Sequence, residues 1–248
     1  MTITPRITTG LERLIDVPTA PSLRREPPAR GKRPTRSVEI DLWDQGLRAV
    51  AGVDEVGRGA LAGPVVSGAV AFLPGARPRW LRELRDSKEL TPRQRSRLAP
   101  LIKASVASWA VGWSSAEEVD RYGILPATRL SMHRALAGLV VEPEFILVDG
   151  NDRHDFSCGF QAIKKGDARV ASIAAASVVA KVTRDAWMEA IDGRYLAYGF
   201  ASNKGYGTPE HNAALIAAGP CPEHRRSFAP VREAARDAPF TLGLPLFG

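Results

Sequence analysis

Residues 49–73 of the chain, AVAGVDEVGRGALAGPVVSGAVAFL, contain two valine-rich apolar runs joined by a glycine-rich stretch. The runs at residues 49–56 and 64–73 have the length and composition of buried strands, and the glycines between them are typical of a turn. Two adjacent acids, Asp54 and Glu55, stand where the first run ends. The sequence therefore predicts two strands of a sheet, with carboxylates at the turn that joins them.

The octet Gly52-Val53-Asp54-Glu55-Val56-Gly57-Arg58-Gly59 is the densest functional signal in the chain. Adjacent residues of a strand point to opposite faces, so Asp54 and Glu55 reach one ion only where the strand bends. Gly57 and Gly59 let a ligand approach the backbone closely, because no Cβ intervenes. A solvated turn with a surface ion pair is the alternative interpretation of the octet.

Outside this stretch, strands alternate with helices. Further strands are predicted at residues 106–113, 145–148 and 160–164, and helices at residues 91–104, 116–139, 168–188 and 209–218. This order indicates an α/β domain with a mixed sheet flanked by helices.

Two more carboxylates, Asp149 and Asp167, are predicted at the ends of strands in the same sheet, where acids from separate segments can converge. Each acid follows or precedes glycine, so an ordinary turn is the alternative for either one alone. Four converging carboxylates without cysteine or histidine suit hard ions such as Mg²⁺ or Mn²⁺. The chemistry expected of such a site is two-metal hydrolysis of a phosphodiester.

Charge is distributed unevenly along the chain, whose net charge is +7. Residues 1–37 hold eight basic and three acidic side chains among many prolines and threonines, which predicts a disordered basic extension, with a short helix at residues 10–16 as an alternative. Residues 38–248 are predicted to form one domain. Within it, residues 77–103 hold nine basic and three acidic side chains, either a nucleic-acid contact or a solvated helix face.

The composition offers no sign of export, membrane insertion or a zinc site. No apolar run is long enough to span a membrane, and no secretory signal opens the chain, so a cytoplasmic protein is expected. Cys158 and Cys221 stand alone and are expected to be reduced thiols. His211 and His224 are expected to be hydrogen-bonded structural residues, and the chain is expected to be a monomer.

Seven segments, in this order, resemble motifs of the ribonuclease HII family. They are the octet, Asp86-Ser87-Lys88-Glu89-Leu90-Thr91, Val148-Asp149-Gly150-Asn151, Lys165-Gly166-Asp167, the run from Ala174 to Asp185, Lys204-Gly205-Tyr206 and His224-Arg225-Arg226-Ser227-Phe228. The resemblance extends from about residue 50 to 232 and leaves the N-terminal extension unexplained.

The resemblance implies a ribonuclease H-like fold with a small C-terminal helical region from about residue 196. In such a fold Asp54, Glu55, Asp149 and Asp167 would bind Mn²⁺ or Mg²⁺ and perform the catalysis. The implied substrates are RNA/DNA hybrids and duplex DNA that contains ribonucleotides, cut to leave 3′-hydroxyl and 5′-phosphate ends during ribonucleotide removal in replication and repair.

The same resemblance assigns substrate-binding roles. The backbone of Gly57, Arg58 and Gly59 would recognise the ribose 2′-hydroxyl, the group that distinguishes RNA from DNA. Tyr206 would pack on the neighbouring deoxyribose. Basic side chains that would contact phosphates are Lys88, Lys181 and Lys204.

Three positions qualify the resemblance. Asp185 lies in a family-like motif, and either a metal or a basic partner is possible for it. Asn203 stands where histidine commonly precedes Lys-Gly-Tyr, and Ala60 stands where proline commonly follows the Gly-Arg-Gly turn. Both departures put substrate affinity in doubt more than activity.

Two other function classes remain open at this point. One is a different nuclease on the same fold, such as a ribonuclease HIII, a transposase-like nuclease or a resolvase. The other is a module that binds nucleic acid without cutting it, although four uncompensated carboxylates would then repel phosphate. For residues 1–37, nonspecific duplex binding, docking of a replication partner and a dispensable extension are all considered.

Overall fold

A computed structural model describes residues 21–24 and 33–237, and its centre is one five-stranded sheet. The strands are β1 (Val50–Val56), β2 (Val65–Phe72), β3 (Ser108–Ser114), β4 (Phe145–Asp149) and β5 (Gly159–Ile163). Their spatial order is β3-β2-β1-β4-β5. Because β1 and β3 pair antiparallel with β2 whereas β4 is parallel to β1 and β5, the predicted mixed sheet is confirmed.

Helices cover both faces of the sheet. They are α1 (Ser37–Trp43), α2 (Pro92–Ser105), α3 (Ala116–Tyr122), α4 (Ile124–Ala137), α5 (Ala171–Asp192), α6 (Phe200–Asn203), α7 (Pro209–Ala218) and α8 (Ala229–Asp237). On one face, α2 and α5 bury a cluster with Val70 and Phe72 of β2. On the other, Met132 and Ala135 of α4 pack against the sheet.

Glycines in the strands allow α5 to lie directly on the sheet. A Cβ on Gly52 would overlap the backbone of Ser172, and one on Gly68 would overlap the carbonyl of Ala176. The small residues predicted along this helix are buried, as the contact requires. The space between α5 and β1 at Gly52 is therefore too small for even one methyl group.

The start of α2 agrees with its sequence signals. Thr91 accepts a hydrogen bond from the backbone N–H of Gln94, whose side chain accepts from the backbone N–H of Thr91, and Pro92 occupies the first turn. The single helix predicted at residues 116–139 is wrong, because α3 ends and α4 begins at Gly123. This glycine has φ +85°, a left-handed conformation that interrupts the helical ladder.

Residues 33–43 run along the start of α5. Thr35 forms a parallel bridge with Val170, and α1 buries Val38 and Leu42 in a cluster with Val170. The buried carboxylate of Glu39 accepts a hydrogen bond of 2.8 Å from the backbone N–H of Ser172, in the first turn of α5. The helix predicted at residues 10–16 lies outside the described residues.

The segment from residue 196 forms the predicted C-terminal helical region, with α6, α7 and α8. Its core combines Tyr198, Phe200 and Cys221 with Ala62 from the chain that follows the octet. Cys158 and Cys221 are both free. Among the described residues, no helix has the length and apolarity that crossing a membrane requires.

Candidate active site

Carboxylates from three segments converge at the carboxyl ends of β1 and β4. Val53 pairs with Val148 across these parallel strands, so the next residues, Asp54 and Asp149, lie side by side. Asp167 lies in a short 3-10 turn after β5, where the backbone N–H of Gly166 donates to Asp149 Oδ1 at 2.6 Å. The convergence predicted for these strand ends is present in the structure.

Asp54 is buried against α5. Its Oδ1 accepts a hydrogen bond of 2.8 Å from the backbone N–H of Glu55, and the Ser177 hydroxyl also donates to its carboxylate. Ser177 is held in turn by Ser87, at 2.8 Å between the two hydroxyl oxygens. No role for Ser177 was predicted, although it is a polar residue in an otherwise apolar run of small residues.

Burial raises the pKa of all four carboxyl groups, and repulsion from neighbouring carboxylates adds to it for Asp54, Glu55 and Asp167. The pKa of Asp54 lies well above its ordinary value because of burial first and then the charges of Glu55 and Asp149. Burial likewise raises the pKa of Glu55 and of Asp149, and it raises that of Asp167 to about 6 with help from Asp149. The four acids form one electrostatically coupled group.

Two basic side chains partly offset this negative charge. Lys88 Nζ lies 3.6 Å from Asp167 Oδ2, and Arg58 NH1 lies 3.5 Å from Glu55 Oε1. Arg58 also lies 3.6 Å from Asp152, an acid that the motifs did not single out. Lys88 is largely exposed, so its charge is also available to a ligand.

The donor set fits hard divalent cations. Within residues 33–237, no three histidine, cysteine, aspartate or glutamate side chains are arranged closely enough to bind one metal ion as they stand. Uncompensated carboxylates repel one another, and a divalent cation between them would favour their charged forms and so lower the pKa values that burial raises. Oxygen-only donors of this kind suit Mg²⁺ or Mn²⁺ better than zinc.

A cleft of about 450 Å³ opens beside the carboxylates. Its lining combines the acids and the glycine turn of the octet with residues from three other segments, Ser87 and Lys88, Ser177 and Lys181, and Tyr206. Asp149 and Asp167 do not line it directly, but Lys88 connects the cleft to Asp167. The structure thus brings together most of the predicted catalytic and substrate-binding residues.

The Gly57-Arg58-Gly59 turn lines the cleft. Gly57 has φ +89°, and a Cβ there would overlap the Arg184 side chain. The backbone N–H of Ala60 donates to the Gly57 carbonyl at 3.2 Å, a contact that proline at position 60 would lack. The departure at Ala60 therefore leaves the turn with an additional restraint.

Two fully buried arginines tie this turn to the Lys204-Gly205-Tyr206 loop. Arg184 donates to the carbonyls of Pro64, Lys204 and Ala62 at 2.9, 2.8 and 3.0 Å. Arg225 donates to the carbonyls of Gly63 and Arg58. Burial lowers the pKa of both, to about 9 for Arg225. Both lie in quoted motifs, but the sequence does not reveal that their partners are backbone carbonyls.

Asn203 stabilises the same loop. Its Nδ2 donates to the Tyr198 carbonyl at 2.6 Å, and its Oδ1 accepts from the backbone N–H of Gly205 at 2.7 Å. Gly205 is fixed further, since its carbonyl accepts from Leu61 at 2.8 Å. The second departure from the family pattern is therefore a residue that positions Tyr206 through the backbone.

Lys204 and Asp185 lie apart from the carboxylates, in a neighbouring groove of about 580 Å³ that shares Lys181 and Tyr206 with the cleft. Lys204 Nζ pairs with Glu189 at 2.7 Å and donates to a backbone carbonyl. Asp185 pairs with Lys181 at 2.7 Å and lies 3.9 Å from Arg95. Of the two partners considered for Asp185, the structure places basic residues beside it.

His211 and His224 form a buried chain of hydrogen bonds that ends at the loop. The backbone N–H of Cys221 donates to His224 Nδ1, the two Nε2 atoms are 3.0 Å apart, and His211 Nδ1 lies 2.9 Å from the Tyr206 carbonyl. Burial lowers the pKa of both, to about 4 for His224. Both are neutral structural residues at pH 7, as expected.

Known proteins resemble this chain in sequence and in fold. The family model for ribonuclease HII matches residues 51–231. A ribonuclease HII from Methylibium petroleiphilum is 51% identical over 188 residues, which cover 76% of this chain and 93% of the relative. Residues 51–231 contain the four converging carboxylates and every residue that lines the cleft.

Solved structures agree with the sequence match. The ribonuclease H2 of Pyrococcus horikoshii superposes with a TM-score of 0.65 at 28% identity, covering 76% of this chain and 97% of that one. Bst-RNase HIII, solved in complex with Mn²⁺, shares the fold with a TM-score of 0.57 at 24% identity, over 76% of this chain and 70% of that one. With the family match, the relatives and the fold in agreement, the chain belongs to the ribonuclease HII family of endonucleases with ribonuclease H activity.

Proposed function

We propose that this chain nicks duplex DNA on the 5′ side of an embedded ribonucleotide and also cuts the RNA strand of RNA/DNA hybrids. The products would carry 3′-hydroxyl and 5′-phosphate ends. The observation that carries the proposal is the cleft in which Asp54 and Glu55, two of the four converging carboxylates, lie beside the glycine turn, Lys88, Lys181 and Tyr206. We place this activity in ribonucleotide removal during replication and repair, performed by a monomer in the cytoplasm.

The four carboxylates Asp54, Glu55, Asp149 and Asp167 would hold two divalent ions, Mn²⁺ or Mg²⁺. Such ions, when bound, supply a nucleophilic water at neutral pH and charge compensation for the leaving 3′ oxygen. The chain itself contributes the orientation of the acids. Ser177 and the backbone of Glu55 hold Asp54, and the backbone of Gly166 holds Asp149.

Recognition of the ribonucleotide would depend on the turn and the tyrosine. With no side chain at Gly57 and Gly59, a ribose 2′-hydroxyl can reach the backbone of the turn directly. Tyr206 stands across the cleft with its backbone fixed by Asn203 and His211. A deoxyribose packed on this ring would identify a junction between RNA and DNA, while Lys88 and Lys181 contact phosphates. The same role is proposed for Lys204 in the adjoining groove.

Cleavage of an end-labelled DNA duplex with one ribonucleotide tests the proposal. The wild type should make a single nick 5′ to the ribonucleotide with Mn²⁺ or Mg²⁺ and none with EDTA. Asp54→Asn and Asp149→Asn should each lower the rate by more than about 100-fold, because a ligand and its negative charge are lost. Asp44→Asn, an exposed acid at the end of α1, is the matched control and should cut normally.

Other outcomes would redirect the assignment. Cutting of a long hybrid without a nick at the single ribonucleotide would indicate another ribonuclease H specificity on the same fold. Metal-independent binding with no cutting of either substrate would revive the binding module. Unchanged rates in both asparagine variants would remove Asp54 and Asp149 from the catalytic group.

A further inference from the structure

We propose that four exposed arginines beside α2 bind the phosphates of duplex DNA beyond the active-site cleft. This arginine strip consists of Arg77, Arg79, Arg82 and Arg93. The inference rests on the proposed function, since it names the surface over which the uncut part of the substrate would pass.

The strip consists of charges that no acid of the described chain neutralises. All four side chains are exposed, and within residues 33–237 none of them makes a side-chain ion pair or hydrogen bond. Nearby basic residues differ in this respect. Arg97 pairs with Glu83, and the largely buried Arg95 donates to the carbonyls of Ser87 and Leu90. Unpaired guanidinium groups are the ones available to phosphate.

Helix α2 leads away from the active-site cleft, and the strip follows the helix. At its first turn, Pro92 and Arg95 line the groove that contains Lys181 and Tyr206. At its far end, the Trp80 ring N–H donates to the Ser105 hydroxyl at 2.6 Å, which holds the short helix Arg79–Arg82 there. A helix of 14 residues spans about 21 Å, and duplex DNA carries a charge about every 1.7 Å along its axis.

The charge of the rest of the chain favours this surface. Residues 77–103 hold nine basic and three acidic side chains, and residues 1–37 hold eight and three. All other positions together hold 17 basic and 21 acidic side chains. Apart from residues 1–37, the segment that contains the strip is therefore where the excess positive charge of the chain is concentrated.

The experiment compares Arg82→Gln with wild type on two ribonucleotide-containing duplexes, one of about 12 and one of about 30 base pairs. On the long duplex we expect KM to rise about threefold or more, kcat to stay unchanged, and the slope of log KM against log salt to fall by about 1. On the short duplex, with the ribonucleotide placed so that the end nearest α2 stops before Arg82, the variant should match wild type. Arg48→Gln is the matched control, an exposed arginine just before β1, at the end of this strand opposite Asp54.

A change in KM that is equal on both duplexes would overturn the proposal, because it would indicate a general effect on the fold or the cleft. Identical salt slopes for Arg82→Gln, Arg48→Gln and wild type on the long duplex would also overturn it. Failure of the wild type to cut the short duplex would instead count against the proposed function, so the two failures are distinguishable.

Discussion

At the scale of single residues, the site contains acidic and basic side chains whose pKa values are shifted by burial. Asp54 and Asp167 are acids that burial and neighbouring charges keep from ionising normally. In the part of the chain that the structure describes, Arg184 and Arg225 have no carboxylate partner, and backbone carbonyls accept their hydrogen bonds instead. In each case the residue acts through the position that the fold gives it.

The buried pair of His211 and His224 leads to a prediction about how stability depends on pH. The folded chain holds the pKa of His224 near 4, against an ordinary value of 6.5, so the unfolded chain takes up a proton first as pH falls. The stability that His224 contributes is present above pH 6.5 and is lost as pH falls towards 4, by about 2 kcal/mol at pH 5. His224→Gln should remove this loss, as measured by urea unfolding at pH 7.5 and 5.

The carboxylates act in the opposite direction over the same pH range. Their raised pKa values mean that stability is present at low pH and is lost as pH rises through the folded pKa, about 6 for Asp167. The difference between wild type and His224→Gln isolates the histidine, because both proteins keep the acids. Parallel loss of stability in the two proteins between pH 7.5 and 5 would contradict the assignment.

The residue scale also limits what the sequence can predict. The sequence predicted that Asp54, Glu55, Asp149 and Asp167 can converge because they stand at strand ends, whereas their role as metal ligands was implied by the family resemblance and stays a prediction. Arg184 lies on a helix that reads as apolar, and nothing in a linear pattern shows that its guanidinium turns back to three carbonyls. Such contacts depend on the separation of loops in space, which only the packed structure defines.

At the scale of elements, the essential contact is that of α5 on β1. Gly52→Ala should lower the free energy of unfolding by about 1–3 kcal/mol or more, because the added Cβ meets the backbone of Ser172 rather than a movable side chain. Asp54 lies two residues further along the same strand, so catalytic activity should fall as well. Chemical denaturation and the nicking assay measure the two effects.

Gly193→Ala is the control for this prediction. Gly193 ends α5 with φ −60°, and a Cβ there meets nothing within 4 Å. This variant should be as stable as wild type or slightly more so. Equal destabilisation by the two substitutions would show that close packing at Gly52 is not the cause.

Strands were easier to predict than helix ends. The apolar runs of β1, β2 and β4 are continuous, since these strands are covered on both faces. The break between α3 and α4 was missed because one glycine in an otherwise helical pattern is often tolerated. Helix α1 was not predicted because seven residues are too few for a periodic signal.

At the scale of the whole molecule, the N-terminal segment and the catalytic domain meet at the start of α5. Residues 33–43 supply the Thr35 bridge and the Glu39 contact to Ser172, directly after the turn that carries Asp167. This part of the chain therefore belongs to the support of the active site. Residues 21–24 extend this contact, since Leu23 packs against the same cluster and the backbone N–H of Arg24 donates to Asp41 Oδ2 at 2.8 Å.

Two truncations separate these roles. Deletion of residues 1–32 should lower thermal stability only slightly, because it removes the Leu23 and Arg24 contacts, and should weaken duplex binding more at low salt than at high salt, because it removes a basic segment. Deletion of residues 1–44 should lower the melting temperature markedly, since it also removes α1 and the buried Glu39. Equal melting temperatures for the two truncated proteins would show that α1 does not support α5.

Helix α5 also affects which phosphodiester bond would be cleaved. Ser177 donates to Asp54 in the proposed metal site, and the Arg184 side chain packs against Gly57 of the turn that would recognise the ribose. Seven residues are almost two helical turns, so both lie on one side of a rigid rod, about 10 Å apart. The helix would therefore keep a constant distance between the sugar that the enzyme recognises and the bond that it breaks.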